Sequence, residues 1–427
     1  MKEFSLKLLK FKLKILAKII IWRFEPKIIA ITGSVGKTSA KEAIYAVLKD
    51  FYPTRKSVGN LNNELGIPLA IIGDFSEKEL KLVSRTQPSG TKRFWKIIFW
   101  IKVLLIGIIS ILRKSSYPKI LVLEYAADRP RDIKYLLDIA KPYIGVVTAI
   151  GDIPVHVEFF GSPEAVTKEK ARLIEILPVN GFAVLNFDNN VVLGLREKTR
   201  ARVVTFGFSE GADIKIANFD NRIVDERPWG ISFKVEYGGS FVPILIKNAF
   251  GRAQAYAASV GACVGLIFDL NLVEIAEVIL KNYSPPTGRM NLVRGIKDSY
   301  LINDTYNASP ISVQEAMETM ATLPAKRRIA ILGDMLELGK YSIEAHEGIG
   351  ELSVKLVDVL VTVGPRGKFI GESARRNGLP RNRVFSFDTA VEAGKAVQGL
   401  IRPGDLILIK ASRAIGLEKI VEELKEM

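Results

Sequence analysis

Gly33, Ser34, Val35, Gly36, Lys37 and Thr38 are the residues whose types and spacing most directly imply chemistry in this 427-residue chain. They follow the apolar, β-branched run Ile28-Ile29-Ala30-Ile31-Thr32 and precede a helix-like segment from Ser39 to Leu48. Strand, glycine turn and helix in that order make a phosphate-binding loop. Glycines let backbone N–H groups wrap a polyphosphate, and the helix N-terminus adds its positive dipole. In this reading Lys37 reaches the β- and γ-phosphates and the Thr38 hydroxyl holds Mg²⁺. The strict pattern wants glycine where Ile31 stands, and the alternative is a plain strand–turn–helix connection with a surface lysine. The loop points to a protein that uses ATP or GTP.

Two further candidates sit at the ends of apolar runs. Glu124 closes Ile120-Leu121-Val122-Leu123, and His156 follows the run 144–148 after a glycine turn. A carboxylate at a strand end can hold Mg²⁺ directly or through water, or can be a surface charge. His156 can be a ligand or a loop histidine. Lys168 and Lys170 open an amphipathic segment after Pro163-Glu164 and, taken alone, read as solvated charge.

The elements that must position these groups alternate between strand-like and helix-like segments, as in a doubly wound parallel sheet with ligands at the carboxyl ends of its strands. Residues 200–250 differ: 202–208 and 231–235 read as short antiparallel strands, followed by an alanine-rich helix near 253–266. Ser284-Pro285-Pro286-Thr287-Gly288-Arg289 is the best linker. Beyond it the alternation restarts, with strands expected at 299–303, 328–332, 357–363, 383–387 and 405–410. The expected architecture is α/β: a basic amphipathic segment 1–26, a central P-loop ATPase-type doubly wound domain 27–284 with an insertion at about 75–118, and a Rossmann-like C-terminal α/β domain 285–427.

Composition narrows the function classes. One cysteine, Cys263, excludes a disulfide framework and a cysteine-based zinc site. Two histidines, His156 and His346, exclude a three-histidine metal site. The formal net charge of +15 gathers in the first 27 residues and around 92–119, which suggests an anionic nucleotide, substrate or lipid surface. With no zinc-finger spacing and no RNP-like aromatic motif, nucleic acid is not an expected partner. No cleavable signal peptide is expected, because lysines interrupt the N-terminal apolar residues every few positions.

Lys7, Lys10, Lys14 and Lys18 fall on one helical face, with Phe4, Leu8, Phe11, Ile15, Ile19 and Trp22 roughly opposite. A second apolar stretch runs from 94 to 112 and contains Lys96 and Lys102. Two readings stay open: both segments lie on a membrane surface, or they pack as ordinary helices on each other or the domain.

Taken together, these segments resemble the Mur ligase family, and most closely its MurF branch, which adds D-alanyl-D-alanine to UDP-N-acetylmuramoyl-tripeptide. Ile31 to Thr38 is similar to the family's T-G-x-x-G-K-T loop, and Asn60-Leu61-Asn62-Asn63-Glu64-Leu65-Gly66-Ile67-Pro68 to its N-x-N-N-x-x-G-x-P. Leu123-Glu124 stands at the metal-binding glutamate, and His156 to Ser162 at the metal-site histidine motif. Glu169 to Ile174 resembles the segment whose lysine is carbamylated, which makes Lys170 the modified residue. Past the linker, Asn303 to Pro310 resembles D-D-x-Y-N-A-N-P, Gly333 to His346 resembles G-D-M-x-E-L-G-x-x-S-x-x-x-H, and Lys410-Ala411-Ser412-Arg413 resembles K-G-S-R. Where the family has G-x-H-N-x-x-N, this chain has Gly251-Arg252-Ala253-Gln254-Ala255-Tyr256-Ala257, with Gln254 keeping an amide for the nucleotide. The 26 residues before the P-loop strand are too few for the family's UDP-holding N-terminal domain.

The resemblance implies ATP-dependent amide bond formation through an acyl phosphate. Lys37, Glu124, His156 and Lys170 would be catalytic. Thr38 and Glu124 would hold one Mg²⁺, and His156 and carbamylated Lys170 a second. Nucleotide contacts would come from Gly33 to Ser39, Gln254, Arg289, Asp304 and Asn307. Asn62, Asn63, Asp334, Glu337, His346 and Arg413 would meet the muropeptide or other anionic acceptor and the amine. The expected protein is a cytoplasmic monomer, with peripheral contact on the inner face of the plasma membrane through 1–24 and 94–112. Alternatives are another Mur-type ligase with a lipid-linked or otherwise non-standard acceptor, and a membrane-associated ATP-binding module without ligase activity.

Overall fold

The computed structural model describes residues 2–59, 61–83, 93–112, 116–224 and 227–426. Asn60 and parts of the 75–118 insertion lie outside the described residues.

The first sheet is built from β1 (Lys27–Thr32), β2 (Thr54–Lys56), β3 (Ile120–Glu124), β4 (Ile144–Val147), β5 (Phe182–Asn186), β6 (Arg202–Gly207), β7 (Ile214–Val224), β8 (Arg227–Tyr237) and β9 (Ser240–Lys247), in the order β2-β3-β1-β4-β5-β6-β7-β8-β9. β1, β3 and β4 are unbroken apolar runs because helices cover both faces of the parallel part. β1 pairs with β3 on one side and β4 on the other, so the chain leaves β1 in both directions. That switch point gathers the P-loop, Glu124 and Thr148 at one edge.

One expectation is corrected. β6 is parallel to both β5 and β7, and the antiparallel meander begins only with β7–β8. The short turns Asn190–Leu193 and Gly194–Lys198, whose Val192 and Leu195 join a core with Ala183 and Leu185, carry the crossover that lets β6 run in the same direction as β5. The 202–208 run has the same apolar character in either orientation, so its sequence does not encode this.

The second sheet has the order β10-β11-β15-β12-β13-β14, with β10 (Asn291–Gly295), β11 (Ser299–Asn303), β12 (Arg327–Gly333), β13 (Val359–Val363), β14 (Val384–Phe387) and β15 (Asp405–Lys410). Only the edge strand β10 is antiparallel.

Both apolar segments fold as helices, Lys2–Phe24 and Arg93–Leu112, and pack together. Leu16 seats against Gly107 so closely that a Cβ there would stand 2.2 Å from Leu16 Cδ2. Leu13, Leu16, Ala17 and Ile20 join Phe99 and Val103 in a core shared with Leu123, Tyr125 and Leu173. Lys10 pairs with Glu64 at 2.8 Å, and Lys14 and Lys18 with Asp138. The lysine face is thus turned onto the protein.

Candidate functional site

Gly33 and Gly36 take left-handed φ values of 145° and 85°. These let the P-loop turn tightly between β1 and the Lys37–Leu48 helix. Thr148, just past β4, braces the loop: its hydroxyl donates to the Val35 carbonyl, and a Cβ on Gly33 would stand 2.1 Å from Thr148 Oγ1. Ser34 N–H donates to the Ala149 carbonyl at 2.7 Å. Ser39 is buried in the first turn of the helix.

The polar groups of the loop are arranged for an anion. Lys37 Nζ folds back onto the Gly33 carbonyl at 2.8 Å, and the buried Ser34 hydroxyl has no partner. Burial pushes the Lys37 ammonium below the usual lysine value, while Glu124 pulls it back up.

Thr38 Oγ1 donates to Glu124 Oε2 at 3.0 Å, and Asn62 Nδ2 donates to Glu124 Oε1 at 3.3 Å. A hydroxyl and a carboxylate side by side at a phosphate loop are the hard oxygen donors that suit Mg²⁺. Among the described residues no group of three His, Cys, Asp or Glu gathers as a metal cluster. Lys41, which the sequence reading passed over, is fully buried with Nζ 3.9 Å from Glu124 Oε2.

Arg289 reaches the loop from the linker. Its Nη2 donates to Thr38 Oγ1 at 3.5 Å, its Nε is buried without a partner, and its guanidinium lies 4.0 Å from the Tyr306 ring centroid. Arg413 approaches the same ring at 5.1 Å. Asp304 pairs with buried Lys410 and accepts from Met290 N–H at 3.2 Å, while Lys410 also donates to the Asn307 carbonyl at 2.9 Å. The Asp304–Asn307 segment is therefore held behind Tyr306 and braces the Arg289 end of the linker.

His156, at the N-cap of the Val157–Phe160 turn, lies between two carboxylates from different parts of the chain. Nδ1 comes within 2.6 Å of Glu337 Oε2, and Nε2 within 3.4 Å of Asp128 Oδ1. The His156 ring holds the Glu337 carboxyl below its usual range. Lys170 is 1% exposed, and burial brings its amine down to about 7, with Lys37 adding to the shift.

Four of the expected contact residues are engaged within the protein. Gln254 spends its amide on the linker: Nε2 donates to the Arg289 carbonyl at 3.0 Å, and Oε1 accepts from the Tyr283 hydroxyl at 2.8 Å. Asp334, 1% exposed, accepts from the Arg366 and Gly367 N–H groups and so caps the Gly367–Arg376 helix. His346 is fully buried: Nδ1 pairs with the Ser342 carbonyl at 2.6 Å and Nε2 accepts from Met335 N–H at 2.9 Å. Asn63 Oδ1 accepts from Leu65 and Gly66 N–H and starts the Gly66–Ile72 helix. These side chains shape the loops around the site.

His346→Ala should accordingly leave a buried N–H unsatisfied and cost roughly 1–3 kcal/mol of stability. Denaturant unfolding would read that loss, and the amine KM should not move. A large KM change at unaltered stability would return His346 to the substrate pocket.

Beside the P-loop, Val35, Ala149, Asp188, Tyr256, Ile311 and Glu315 line a cleft. The Tyr256 hydroxyl donates to Asp188 Oδ2 at 2.7 Å. Desolvation raises the Glu315 carboxyl to about 7. Asp188 and Glu315 carry no motif signal in the sequence, and Tyr256 appears there only as a position inside the 251–257 segment.

Residues 31–83 and 105–264 match the family model of the Mur ligase middle domain, and residues 288–413 that of the Mur ligase glutamate ligase domain. The UDP-N-acetylmuramoyl-tripeptide–D-alanyl-D-alanine ligase of Mycobacterium tuberculosis is 30% identical over 422 residues, covering 93% of this chain and 72% of the relative. That of Bacillus subtilis is 29% identical over 415 residues, covering 96% and 78%. Among solved structures, MurF from Thermotoga maritima in complex with ADP is 25% identical with a TM-score of 0.73, covering 97% and 83%. MurF from Acinetobacter baumannii, at 22% identity, has a TM-score of 0.77 over 97% and 80%. With a phosphate loop, a Thr–Glu oxygen pair and both domain models matched in order, the chain belongs to the Mur ligase family.

Proposed function

We propose that the chain is an ADP-forming carboxylate–amine ligase that joins D-alanyl-D-alanine to a muropeptide. The observation that carries this reading is the convergence of Lys37, Thr38 and Glu124 with Arg289, which comes in from the linker. The matched MurF relatives supply the substrate class.

A carboxylate is a poor electrophile toward an amine. Transfer of the γ-phosphoryl group of ATP to its oxygen gives an acyl phosphate and ADP. Lys37, released from the Gly33 carbonyl, and Arg289 neutralise the charge on the transferring group. Thr38 and Glu124 would hold Mg²⁺, which would supply positive charge at the polyphosphate oxygens, and His156 and carbamylated Lys170 would hold a second ion. Carbamylation needs a neutral amine: Lys170 nitrogen adds to CO₂ and gives up a proton to water. A buried amine with a pKa near 7 is ready for that step.

The Glu337 and Asp128 carboxylates flanking His156 attract the ammonium of the incoming amine, which gives up its proton to water. The amine adds to the acyl carbon and phosphate leaves, giving the amide. Arg413 and Asn62 orient substrate carboxylate and amide groups. The enzyme works in the cytoplasm as a monomer, with residues 1–24 and 94–112 in peripheral contact with the inner face of the plasma membrane.

Phosphate release from ATP is expected only with UDP-muramoyl-tripeptide and D-Ala-D-Ala together, with the amide product verified by mass. ATP binding without acceptor-dependent turnover would favour a non-ligating ATP-binding module. Turnover only with lipid-carried muropeptide would favour the non-standard acceptor.

A further inference from the structure

The helices Lys2–Phe24 and Arg93–Leu112 are amphipathic in the inverted sense for a soluble protein. On the first, Lys10, Lys14 and Lys18 are engaged by Glu64 and Asp138 of the body. Its outward stripe is Leu8, Phe11, Ile15, Ile19 and Trp22, from 38% exposed at Ile19 to 77% at Trp22. On the second, Phe99, Val103 and Gly107 face inward at four-residue spacing. Ile97, Ile98, Ile101, Leu105, Ile108 and Leu112 follow one outward face, each at least 39% exposed. Two packed helices thus leave long apolar stripes to the outside, while basic groups that could have covered them are tied to the protein. A soluble monomer rarely exposes contiguous apolar surface on this scale.

The charge of the two segments indicates what covers the stripes. Lys12 and Arg23 are exposed on the first helix. Between residues 92 and 119 the sequence holds Lys92, Arg93, Lys96, Lys102, Arg113, Lys114 and Lys119 and no acidic residue. Apolar stripes with exposed Lys12 and Arg23 beside them, on a strongly basic stretch of sequence, match an anionic lipid surface, where acyl chains take the isoleucines and headgroups take the lysines and arginines.

We infer that this helix pair is a docking face that seats the protein in the plane of an anionic phospholipid bilayer. The inference deepens the peripheral contact of the reading above and fixes its geometry. By length and hydropathy Phe94–Leu112 could also span a membrane. Its inner face, however, is occupied by Leu16 and the protein core, and Lys102 is paired with Glu79. Spanning would strip those contacts, so the helix lies along the surface.

The seat is coupled to the site. The docking helices share one core with Leu123 and Tyr125, which flank Glu124, with Leu173 of the Lys170 helix, and with Phe160 of the His156 turn. Lys10 holds Glu64, two residues from the Asn62 that donates to Glu124. Docking therefore fixes the orientation of the catalytic strand ends relative to the lipid surface.

Flotation of the full chain with vesicles tests this. Vesicles of phosphatidylcholine with phosphatidylglycerol should carry the protein upward, and phosphatidylcholine alone should carry far less. Alkaline carbonate should release the bound protein. Ile15→Glu with Ile19→Glu, and separately Ile101→Glu with Ile108→Glu, should each cut partitioning by at least about tenfold. Equal ATP binding and equal melting temperature would show both variants folded. Protein that stays below both vesicle types would overturn the inference. So would a dimer in sedimentation that these variants dissociate, which would make a second copy the occupant, or resistance to carbonate, which would mean a spanning helix. Flotation reads no turnover, so its failure leaves the ligase reading standing, and failed ligation leaves docking standing.

Discussion

Replacing Lys37 with methionine is expected to lower acceptor-dependent phosphate release by about 10³-fold or more. The ammonium is the group nearest the loop carbonyls that a polyphosphate would displace, and burial has already stripped it of water. It therefore needs little reorganisation when negative charge develops beside it. Methionine keeps the volume and loses the charge. The fold should tolerate the change, because losing the bond to the Gly33 carbonyl, worth about 1 kcal/mol, is offset by removing a desolvated cation. Single-turnover ADP formation, read beside the melting temperature, separates chemistry from folding. Near-normal turnover in Lys37→Met would refute the proposed mechanism at its centre.

Lys170 carries the second large effect. Lys170→Ala is expected to lose nearly all turnover and to recover part of it when a short-chain carboxylic acid is supplied. The parent enzyme should slow when CO₂ is removed and recover with bicarbonate. The same residue sets a stability signature. Its folded pKa of about 7 lies below the unfolded value of 10.5, so between those values the unfolded state binds more protons. Stability without bicarbonate should therefore rise as pH climbs from about 7 toward 10.5, and the full burden of an uncompensated buried cation applies below about 7. Lys170→Met lacks that titration, and the difference between its unfolding curve and that of the parent isolates it. A flat difference, or turnover indifferent to CO₂, would count against a carbamate at this position.

The parts of the fold legible in the sequence were those encoded by local pattern. β1, β3, β4, β13 and β15 are buried runs rich in β-branched and leucine residues. The Thr38–Glu124 pair was legible because each residue ends a strand or opens a helix at the switch point. The direction of β6 was not, since hydrogen-bond polarity leaves no mark on side-chain pattern. Periodicity revealed two faces on the first helix but not which one meets the protein; that was decided by Glu64 and Asp138, remote in sequence. Asp334, His346 and Gln254 show a different limit. A motif marks a residue as constrained without saying whether the constraint is a ligand or a neighbouring backbone N–H. Glu315 and Lys41 gave no signal because their environments exist only after folding.

Gln254 has a mechanical consequence. By gripping the Tyr283 hydroxyl and the Arg289 carbonyl it fastens both ends of the linker to the central domain, and Asn291 adds a bond to the Arg289 N–H. The anchoring continues past the linker: Phe250 N–H donates to the Met290 carbonyl at 3.2 Å and Leu292 N–H to the Asn248 carbonyl at 3.1 Å. Arg289 is thereby held on the P-loop side, although the ring it stacks on, Tyr306, belongs to the C-terminal domain. Any separation of the two would have to unstack the guanidinium from the ring, so this one cation–ring contact works as a clasp between the P-loop side of the cleft and the C-terminal domain.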